Sequence, residues 1–523
     1  MSQLSQAWEQ APVEYPSAVA APQWFDPPPR SIWQPIALVL PLILAAGGYL
    51  FVAPMLVDLS FLIVTALLTV FLIAELSHFS ERFGLGGIVL FGGVLIWFCY
   101  DYMKYWLLGW MPHWHSDIQP KVVAAAAACH MLYILCMTIG LRFRVGRWFP
   151  RLLTRFPEPP NPSDYFWVVV ATQVIGFLPY FVFTREPFYL AIYHQITAGR
   201  NGAIATQWSV GRTGNVNFNW GAYVAELLMI GAGGAILATF CITFLRQSPL
   251  KNIYCALTWL LWLCLGFGTG TRGEIVRLGL PLVCFVFIRY HVQAQEFLHR
   301  YSVRAYVFVG ALLVLSIVVI QIQIRFRNTG FGVFDFSDVS LSTVQGNEMF
   351  STSLIGFSYI PDRHDFFYDQ YPGQMIAMPI PNFLFWAAVA PMPRALWTTK
   401  PLDPSWKWYN AVSTGRSTLG GGTTEGTTTS EGIVGYWFFR FGIAGVIEGG
   451  LFMGWLMGCG ERLLLNNHGR PFAVLVSLGL FSWIFRAFRD IGLQDLTEVC
   501  VALFGIQLCI FCLRPILGMI NRQ

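Results

Sequence analysis

The sequence predicts an all-α polytopic membrane protein with about twelve transmembrane helices. Of its 523 residues, 55% are apolar and only 12% are charged, whereas a soluble domain carries about 25% charged residues. Apolar runs of about twenty residues recur along nearly the whole chain, and each is long enough to cross the ~30 Å hydrocarbon layer of a membrane. Arginine and lysine also concentrate in alternate short loops, as they do in multi-pass membrane proteins.

The first 35 residues differ from the rest of the chain because they are polar and proline-rich. A secretory signal would need a basic start followed directly by an apolar core. We therefore predict that residues 1–35 form a disordered cytoplasmic tail and that residues 36–523 form a single transmembrane domain. The predicted spans lie at 36–55, 59–77, 84–102, 122–141, 164–184, 220–243, 253–268, 275–290, 304–324, 433–458, 471–486 and 494–513.

The loop after the fourth span sets the orientation. It contains five arginines between Arg142 and Arg155 and no acidic residue before Glu158. Basic residues are enriched in cytoplasmic loops, so this loop is predicted to be cytoplasmic, as are the other Arg- and Lys-bearing loops that alternate with it. Both termini are then cytoplasmic, and two long loops, 185–219 and 325–432, lie outside.

The large loop at 325–432, between spans 9 and 10, is rich in aromatic, glycine and threonine residues. Loops of this length in a compact protein are usually functional or disordered, and the aromatic content favours a loop that folds against the membrane domain. Residues 378–397 within it are apolar but are interrupted by four prolines. We interpret this stretch as interfacial or re-entrant rather than as a span.

Basic residues at the predicted outer side run against the usual charge distribution. The simplest interpretation is that these basic side chains contact lipid headgroups. As a set they suggest an anion-binding cavity open to the outside, because the planar guanidinium fork donates two hydrogen bonds to phosphate oxygens. The strongest candidates are Arg272 in a glycine-rich turn, Arg394 and Lys400 in PMPRALWTTKP, and Arg416 before a Gly/Thr run.

Carboxylates on the same side are candidates for a catalytic base. Those in loops are Glu348, Asp365, Glu425, Glu431 and Asp490, and those inside spans are Glu226, Glu448 and Glu498. An ionisable group inside a membrane is costly and usually faces a cavity or a partner, so the carboxylates inside spans could simply pair with arginines. The sequence by itself does not select one base.

Several classes of site are not indicated. His113 and His115 alone make a weak metal site, and no phosphate-binding loop, nucleotide fold or serine nucleophile motif occurs. We therefore predict no metal, no cofactor and no nucleic-acid partner.

The Arg272 turn, the large loop with Glu348, the PMPRALWTTKP segment and the Gly/Thr run leading into SEGIVGYWFFRFGIAGVIEGGLFMGWL together resemble the O-antigen polymerase (Wzy) family. The resemblance covers residues 265–465, while the first 200 residues match only in hydropathy. It implies polymerisation of polyprenyl-pyrophosphate-linked oligosaccharide repeat units at the periplasmic face of a bacterial inner membrane. It also leaves room for a chain-length regulator protein as a partner.

The resemblance assigns roles to the candidate residues. Arg272, Arg394, Lys400 and Arg416 would hold the pyrophosphate, and Glu348 or Glu431 would deprotonate the attacking sugar hydroxyl. Two alternatives stay open. An O-antigen ligase would use a histidine such as His194 or His364, and a non-enzymatic exporter or flippase of lipid-linked glycan would carry charges along a path to the inner side.

Overall fold

The protein is a multi-pass membrane protein whose described elements are all helical. The computed structural model describes residues 30–78, 84–99, 102–103, 119–143, 156–183, 187–197, 220–245, 247–268, 277–286, 288–289, 350, 353–354, 357, 378–389, 392, 397, 432–467, 470–489, 491 and 493–520. Its helices are α1 (Trp33–Phe51), α2 (Pro54–Ser77), α3 (Leu85–Val94, continued by a π-helical turn, Leu95–Cys99), α4 (Pro120–Gly140), α5 (Tyr165–Phe183), α6 (Phe188–Thr197), α7 (Trp220–Phe244), α8 (Pro249–Gly268), α9 (Arg277–Val286), α10 (Pro379–Val389), α11 (Gly432–Asn467), α12 (Pro471–Ala487) and α13 (Leu493–Ile520).

Seven of the described helices are long and apolar enough to cross a membrane: α1, α2, α4, α5, α7, α11 and α13. Helices α3, α9, α10 and α12 are apolar but shorter. Every predicted span with described residues contains helix, but the one predicted at 433–458 is broken at Gly442, and the one at 304–324 lies outside the described residues. The multi-pass helical fold is therefore confirmed, while the count of twelve spans and the placement of the large loop stay predictions.

Two helices lie within segments that the sequence assigns to outer loops. The stretch interrupted by prolines contains α10, whose 11 residues extend only about 17 Å and cannot cross a membrane. This length agrees with an interfacial or re-entrant segment. Helix α6, of 10 residues, lies within the loop predicted at 185–219.

The helices pack in two groups. The first contains α1 to α4 together with α11 and α12, and the second contains α5, α7, α8 and α13. In the second group Gln173 of α5 donates a hydrogen bond to the carbonyl of Gly231 on α7 (3.0 Å) and accepts one from the indole of Trp262 on α8 (2.5 Å). Polar side chains inside a membrane bundle hold helices together in this way. Helix α13 joins the groups because it contacts both α7 and α12.

A glycine stripe on α11 brings it against α4. Gly450, Gly454 and Gly458 recur every four residues, and their α-carbons face the backbone of α4 at Tyr133, Met137 and Leu141. At Gly454 the carbonyl of Met137 leaves no room for a Cβ. Small residues at this spacing let membrane helices approach closely, where packing and not water expulsion supplies the attraction.

Helix α11 is broken at Gly442, whose φ of 65° and ψ of −149° are outside the helical region. In a straight helix residues 437 and 449 would be about 18 Å apart, yet the ring of Trp437 lies directly against Gly449. The chain therefore reverses at Gly442, and residues 432–441 fold back beside the start of the longer segment. Only glycine readily adopts this backbone conformation.

Candidate functional site

All six site residues predicted from the sequence lie outside the described residues: Arg272, Glu348, Arg394, Lys400, Arg416 and Glu431. Their roles stay predictions. Three described helices nevertheless begin or end close to them in the chain. Helix α9 begins five residues after Arg272, α10 ends five residues before Arg394, and α11 begins directly after Glu431.

These three helices converge on α12 and α13. Helix α10 packs against α11 and α13, and its Phe383 ring lies 5.8 Å from Trp437 of α11 and 6.0 Å from Trp483 of α12. Arg277 of α9 reaches Glu498 of α13. The N–H of Ile433, at the start of α11, donates to the carbonyl of Phe488 at the end of α12 (3.2 Å). The three helices thus meet α12 and α13 in one region.

Arg277 and Glu498 form a buried ion pair in this region. The Nη1 of Arg277 donates to the Oε2 of Glu498 at 2.8 Å and lies 2.9 Å from the sulfur of Met229 on α7. Arg277 is 7% exposed and Glu498 is 4% exposed. Because its Oε2 already accepts a hydrogen bond from the guanidinium, Glu498 fits a role in holding Arg277 better than the role of general base.

Arg277 was not among the residues singled out from the sequence. The available signal was its position as an isolated basic residue inside the apolar run EIVRLGLPLV, since intramembrane charges usually face a cavity or a partner. In the sequence, Arg277 looks like a basic residue that faces lipid at the end of a span. Only the structure shows that the side chain turns inward to α7 and α13.

Two arginines that the sequence places at the outer side, Arg440 and Arg486, lie in the same region. Arg486, in the last turn of α12, donates to Asp495 in the first turn of α13 at 2.6 Å. Arg440, in the folded-back segment of α11, is 2% exposed, and its guanidinium carbon lies 3.7 Å above the ring of Tyr436. Stacking on an aromatic face is a favourable environment for a desolvated guanidinium. The region is therefore rich in arginine that is shielded from the surroundings.

The other described candidates contribute less. Glu448 is half-buried on α11, and the side chain of Glu226 and the whole of Asp365, Glu425 and Asp490 lie outside the described residues. Phe350, two residues after Glu348, packs against Phe61, Tyr102 and His130. Phe350, which the sequence assigns to the large loop, therefore contacts α2 and α4.

A second charged cluster lies at the opposite end of the bundle, which the sequence predicts to be cytoplasmic. Arg30 donates through Nε to the Oε1 of Glu75 (3.0 Å) and through Nη2 to the Oε1 of Glu461 (2.5 Å). The N–H of Gly87, in the first turn of α3, also donates to Glu461 (3.0 Å). Burial opposes the charge on Arg30, but the two carboxylates outweigh it and raise the pKa of the guanidinium above its usual value.

This cluster supports the alternation of the predicted spans. It places the start of α1, the end of α2, the start of α3 and the later part of α11 at one end of the bundle. Predicted spans 1, 2, 3 and 10 meet there as alternation requires. We refer to this end as the predicted inner end and to the end with Arg277 as the predicted outer end.

Among the described residues, no group of three His, Cys, Asp or Glu side chains could hold a metal ion. His113 and His115 lie outside the described residues. All eleven cysteines are free thiols, and most are buried between helices.

Comparison with known proteins gives no relative. No family model matches the chain, and no curated protein or solved structure matches it. Assignment to a family therefore depends on the sequence resemblance and belongs to the proposal that follows.

Proposed function

We propose that this protein is a membrane glycosyltransferase that polymerises polyprenyl-pyrophosphate-linked oligosaccharide repeat units at the periplasmic face of a bacterial inner membrane. The observation that carries the proposal is the convergence of α9, α10 and α11 on α12 and α13. Each of these helices adjoins one of the segments that resemble the polymerase family, and the region where they meet holds buried arginines.

The proposed chemistry is a displacement at the anomeric carbon of the donor sugar. The hydroxyl oxygen of the acceptor sugar forms a bond to that carbon, and the bond to the pyrophosphate oxygen breaks. Glu348 or Glu431 takes the hydroxyl proton. Arg272, Arg394, Lys400 and Arg416 stabilise the negative charge that develops on the departing polyprenyl pyrophosphate. Arginine suits this task because it stays charged in an apolar environment.

A non-enzymatic exporter of lipid-linked glycan is the second candidate, and one observation favours it. An exporter needs charged groups at both ends of its path, and Arg30, Glu75 and Glu461 form a buried charged cluster at the predicted inner end. In that case the cluster would be a closed inner gate. A ligase that transfers finished glycan to a lipid acceptor is a third candidate, which the sequence alone supports.

The test is a gel profile of surface glycan from a strain that lacks the protein, complemented with wild type, Arg272→Ala, Arg277→Lys or, as a matched control, Arg514→Ala at an exposed arginine of the predicted inner side. We expect wild type and Arg514→Ala to restore a ladder of long chains. Arg272→Ala should leave single repeats, and Arg277→Lys should shorten the ladder because lysine keeps the charge but loses the planar fork. Membrane levels of each variant are compared by immunoblot.

The location of the unprocessed glycan separates the three functions. Single repeats that accumulate at the periplasmic face in the deletion strain support a polymerase. Single repeats trapped at the cytoplasmic face would reject the polymerase and support an exporter. Long chains that stay attached to the polyprenyl carrier would instead indicate a ligase.

A further inference from the structure

Four residues that the sequence assigns to the large loop form one buried face. Phe350, Ser353, Leu354 and Phe357 have helical backbone, and each is at most 2% exposed. Positions three, four and seven residues after Phe350 lie on the same side of a helix as Phe350 itself. The hydroxyl of Ser353 donates to the carbonyl of Phe350 (2.7 Å), as in a helical turn. We refer to these four residues as the anchor face.

At one end of the anchor face, Phe350 occupies an aromatic socket. Its ring lies edge-to-face against the rings of Phe61 on α2 (5.0 Å between centroids), Tyr102 (5.4 Å) and His130 on α4 (5.1 Å). Aromatic pairs favour this arrangement at these distances. From Phe61 to Glu75 of the inner cluster α2 rises about 21 Å, so the socket lies at the predicted outer end.

The walls of the socket are held in place without the anchor face. The rings of Phe61 and Tyr102 are stacked at 3.7 Å between centroids, and the hydroxyl of Tyr102 donates to the carboxylate of Asp58 on α2. The Nδ1 of His130 donates to the carbonyl of Ala126 one turn earlier (2.7 Å). The socket is therefore a fixed reference point that joins α2 to α4.

At the other end of the anchor face, Phe357 packs against the folded-back segment of α11. Its ring is stacked on that of Phe438 (4.4 Å) and lies edge-to-face against that of Phe439 (5.4 Å). The next residue in the chain is Arg440, one of the buried arginines of the candidate site. The anchor face thus connects the socket on α2 and α4 to the segment that carries Arg440.

We propose that Phe350 and Phe357 are positioning residues for the transfer reaction, which hold the proposed base Glu348 and the folded-back segment of α11 in a fixed relation. This inference rests on the proposed function and adds to it the way in which the large loop is held for catalysis. Glu348 lies outside the described residues and precedes Phe350 by two positions. Two residues of chain span at most about 7 Å, so a displacement of Phe350 is passed on to Glu348.

The test is polymerisation by the purified full-length protein in nanodiscs, with single repeat units on polyprenyl pyrophosphate as substrate. Phe350→Ala should lower kcat about tenfold or more, because a shift of about 1 Å in a catalytic group can cost a hundredfold in rate. KM should change less than about threefold, since a ring that is 2% exposed does not touch the substrate. Phe350→Leu keeps most of the apolar volume and should recover to within about threefold of wild type.

A double variant tests the socket. Phe61→Leu removes one of the rings on which Phe350 rests and should lower kcat by itself. Phe61→Leu/Phe350→Ala should be no slower than Phe350→Ala, because both changes act through one contact. Losses that multiply in the double variant would overturn the socket as the place through which Phe350 acts.

Phe472→Ala is the matched control. Phe472 is also buried (4% exposed), and it packs against Phe156 at the predicted inner end. Loss of its ring should lower the thermal unfolding temperature about as much as Phe350→Ala does, since both changes leave a cavity. The kcat of the folded Phe472→Ala protein should equal that of wild type.

The outcomes separate this inference from the proposed function. Equal kcat in Phe350→Ala and Phe472→Ala at the same folded fraction would show that Phe350 is a packing residue only, and would overturn the inference while leaving the polymerase. A raised KM at unchanged kcat would also overturn it, because the anchor face would then act on substrate binding. If wild type itself does not extend the repeat units, the proposed function is wrong and the inference is wrong with it.

Discussion

The charged groups at the two ends of the helix bundle are organised differently. At the predicted inner end Arg30, Glu75 and Glu461 contact one another directly, and the backbone of α3 closes over them so tightly that Gly86 and Gly87 have no room for a side chain. At the predicted outer end the charges form separate pairs beside a cavity and a broken helix. A closed cluster holds helix ends together, whereas the dispersed pairs place arginines beside a cavity.

Removal of Arg30 should have the largest effect on stability. Arg30→Ala leaves two carboxylates that are 1% and 6% exposed without their cation, and breaking a buried pair in this way costs about 3–5 kcal/mol. We expect a marked fall in the thermal unfolding temperature in detergent. Arg514→Ala, at an exposed arginine of α13, is the matched control and should change it little. Equal stability of the two variants would contradict the view that the inner cluster is structural.

The double variant Arg30→Ala/Glu461→Gln sharpens this result. Neutralising one carboxylate removes part of the uncompensated charge, so the double variant should be more stable than Arg30→Ala alone. If the cluster is instead a gate of an exporter, the double variant should regain stability and still fail to move glycan across the membrane. Stability and glycan location measured together distinguish these outcomes.

Substitution of Gly442, where α11 is broken, tests whether the structure of the predicted outer end is needed for function. Gly442→Ala places a Cβ at a φ of 65° and a ψ of −149°, a conformation that costs a non-glycine residue about 1–3 kcal/mol. We expect lower stability and loss of the glycan ladder, because the segment that carries Arg440 would move. Gly92→Ala is the control, since nothing lies within 4 Å of a Cβ at that position. An unchanged ladder in Gly442→Ala would mean that the reversal of the chain is not needed for function.

Substitution of Glu158 should have the smallest effect on stability, and this effect should depend on pH. Burial raises the pKa of this carboxyl from 4.5 to about 7, although Arg470 and the backbone N–H of Phe472 oppose the shift. The folded protein therefore binds more protons than the unfolded chain between these values, and stability falls as the pH rises through that window. Glu158→Gln should be more stable than wild type at pH 8 and nearly equal to it at pH 4.5. If Glu158→Gln and wild type differed in stability by the same amount at every pH, the expected proton uptake by Glu158 in the folded protein would be wrong.

The positions of the membrane helices could be predicted from the sequence because apolar runs of the right length must span or be buried. Helix α4 was predicted at 122–141 and lies at Pro120–Gly140. The fold-back at Gly442 could not be predicted, because residues 433–458 are apolar apart from Arg440 and Glu448 and because glycine is also common inside membrane helices. Hydropathy measures the environment of a segment and not the direction in which it runs.

The candidate site could likewise be predicted only in part from the sequence. The excess of arginine at the predicted outer side and the inclusion of Glu498 among the ionisable residues inside spans came from composition alone. The partner of Glu498 did not, because Arg277 lies 221 residues away in the chain. The roles of Arg272, Glu348, Arg394, Lys400, Arg416 and Glu431 stay predictions.

The sequence by itself determined that this protein is a helical membrane protein, since the cost of placing a polar backbone in hydrocarbon allows apolar runs of this length few other structures. It also determined which segments carry charge against the usual orientation. Only the tertiary structure decided which charges meet, because an ion pair depends on positions in space that local hydropathy does not record. Arg30 is thereby joined to Glu461 at one end of the bundle, and Arg277 is joined to Glu498 beside a cavity at the other.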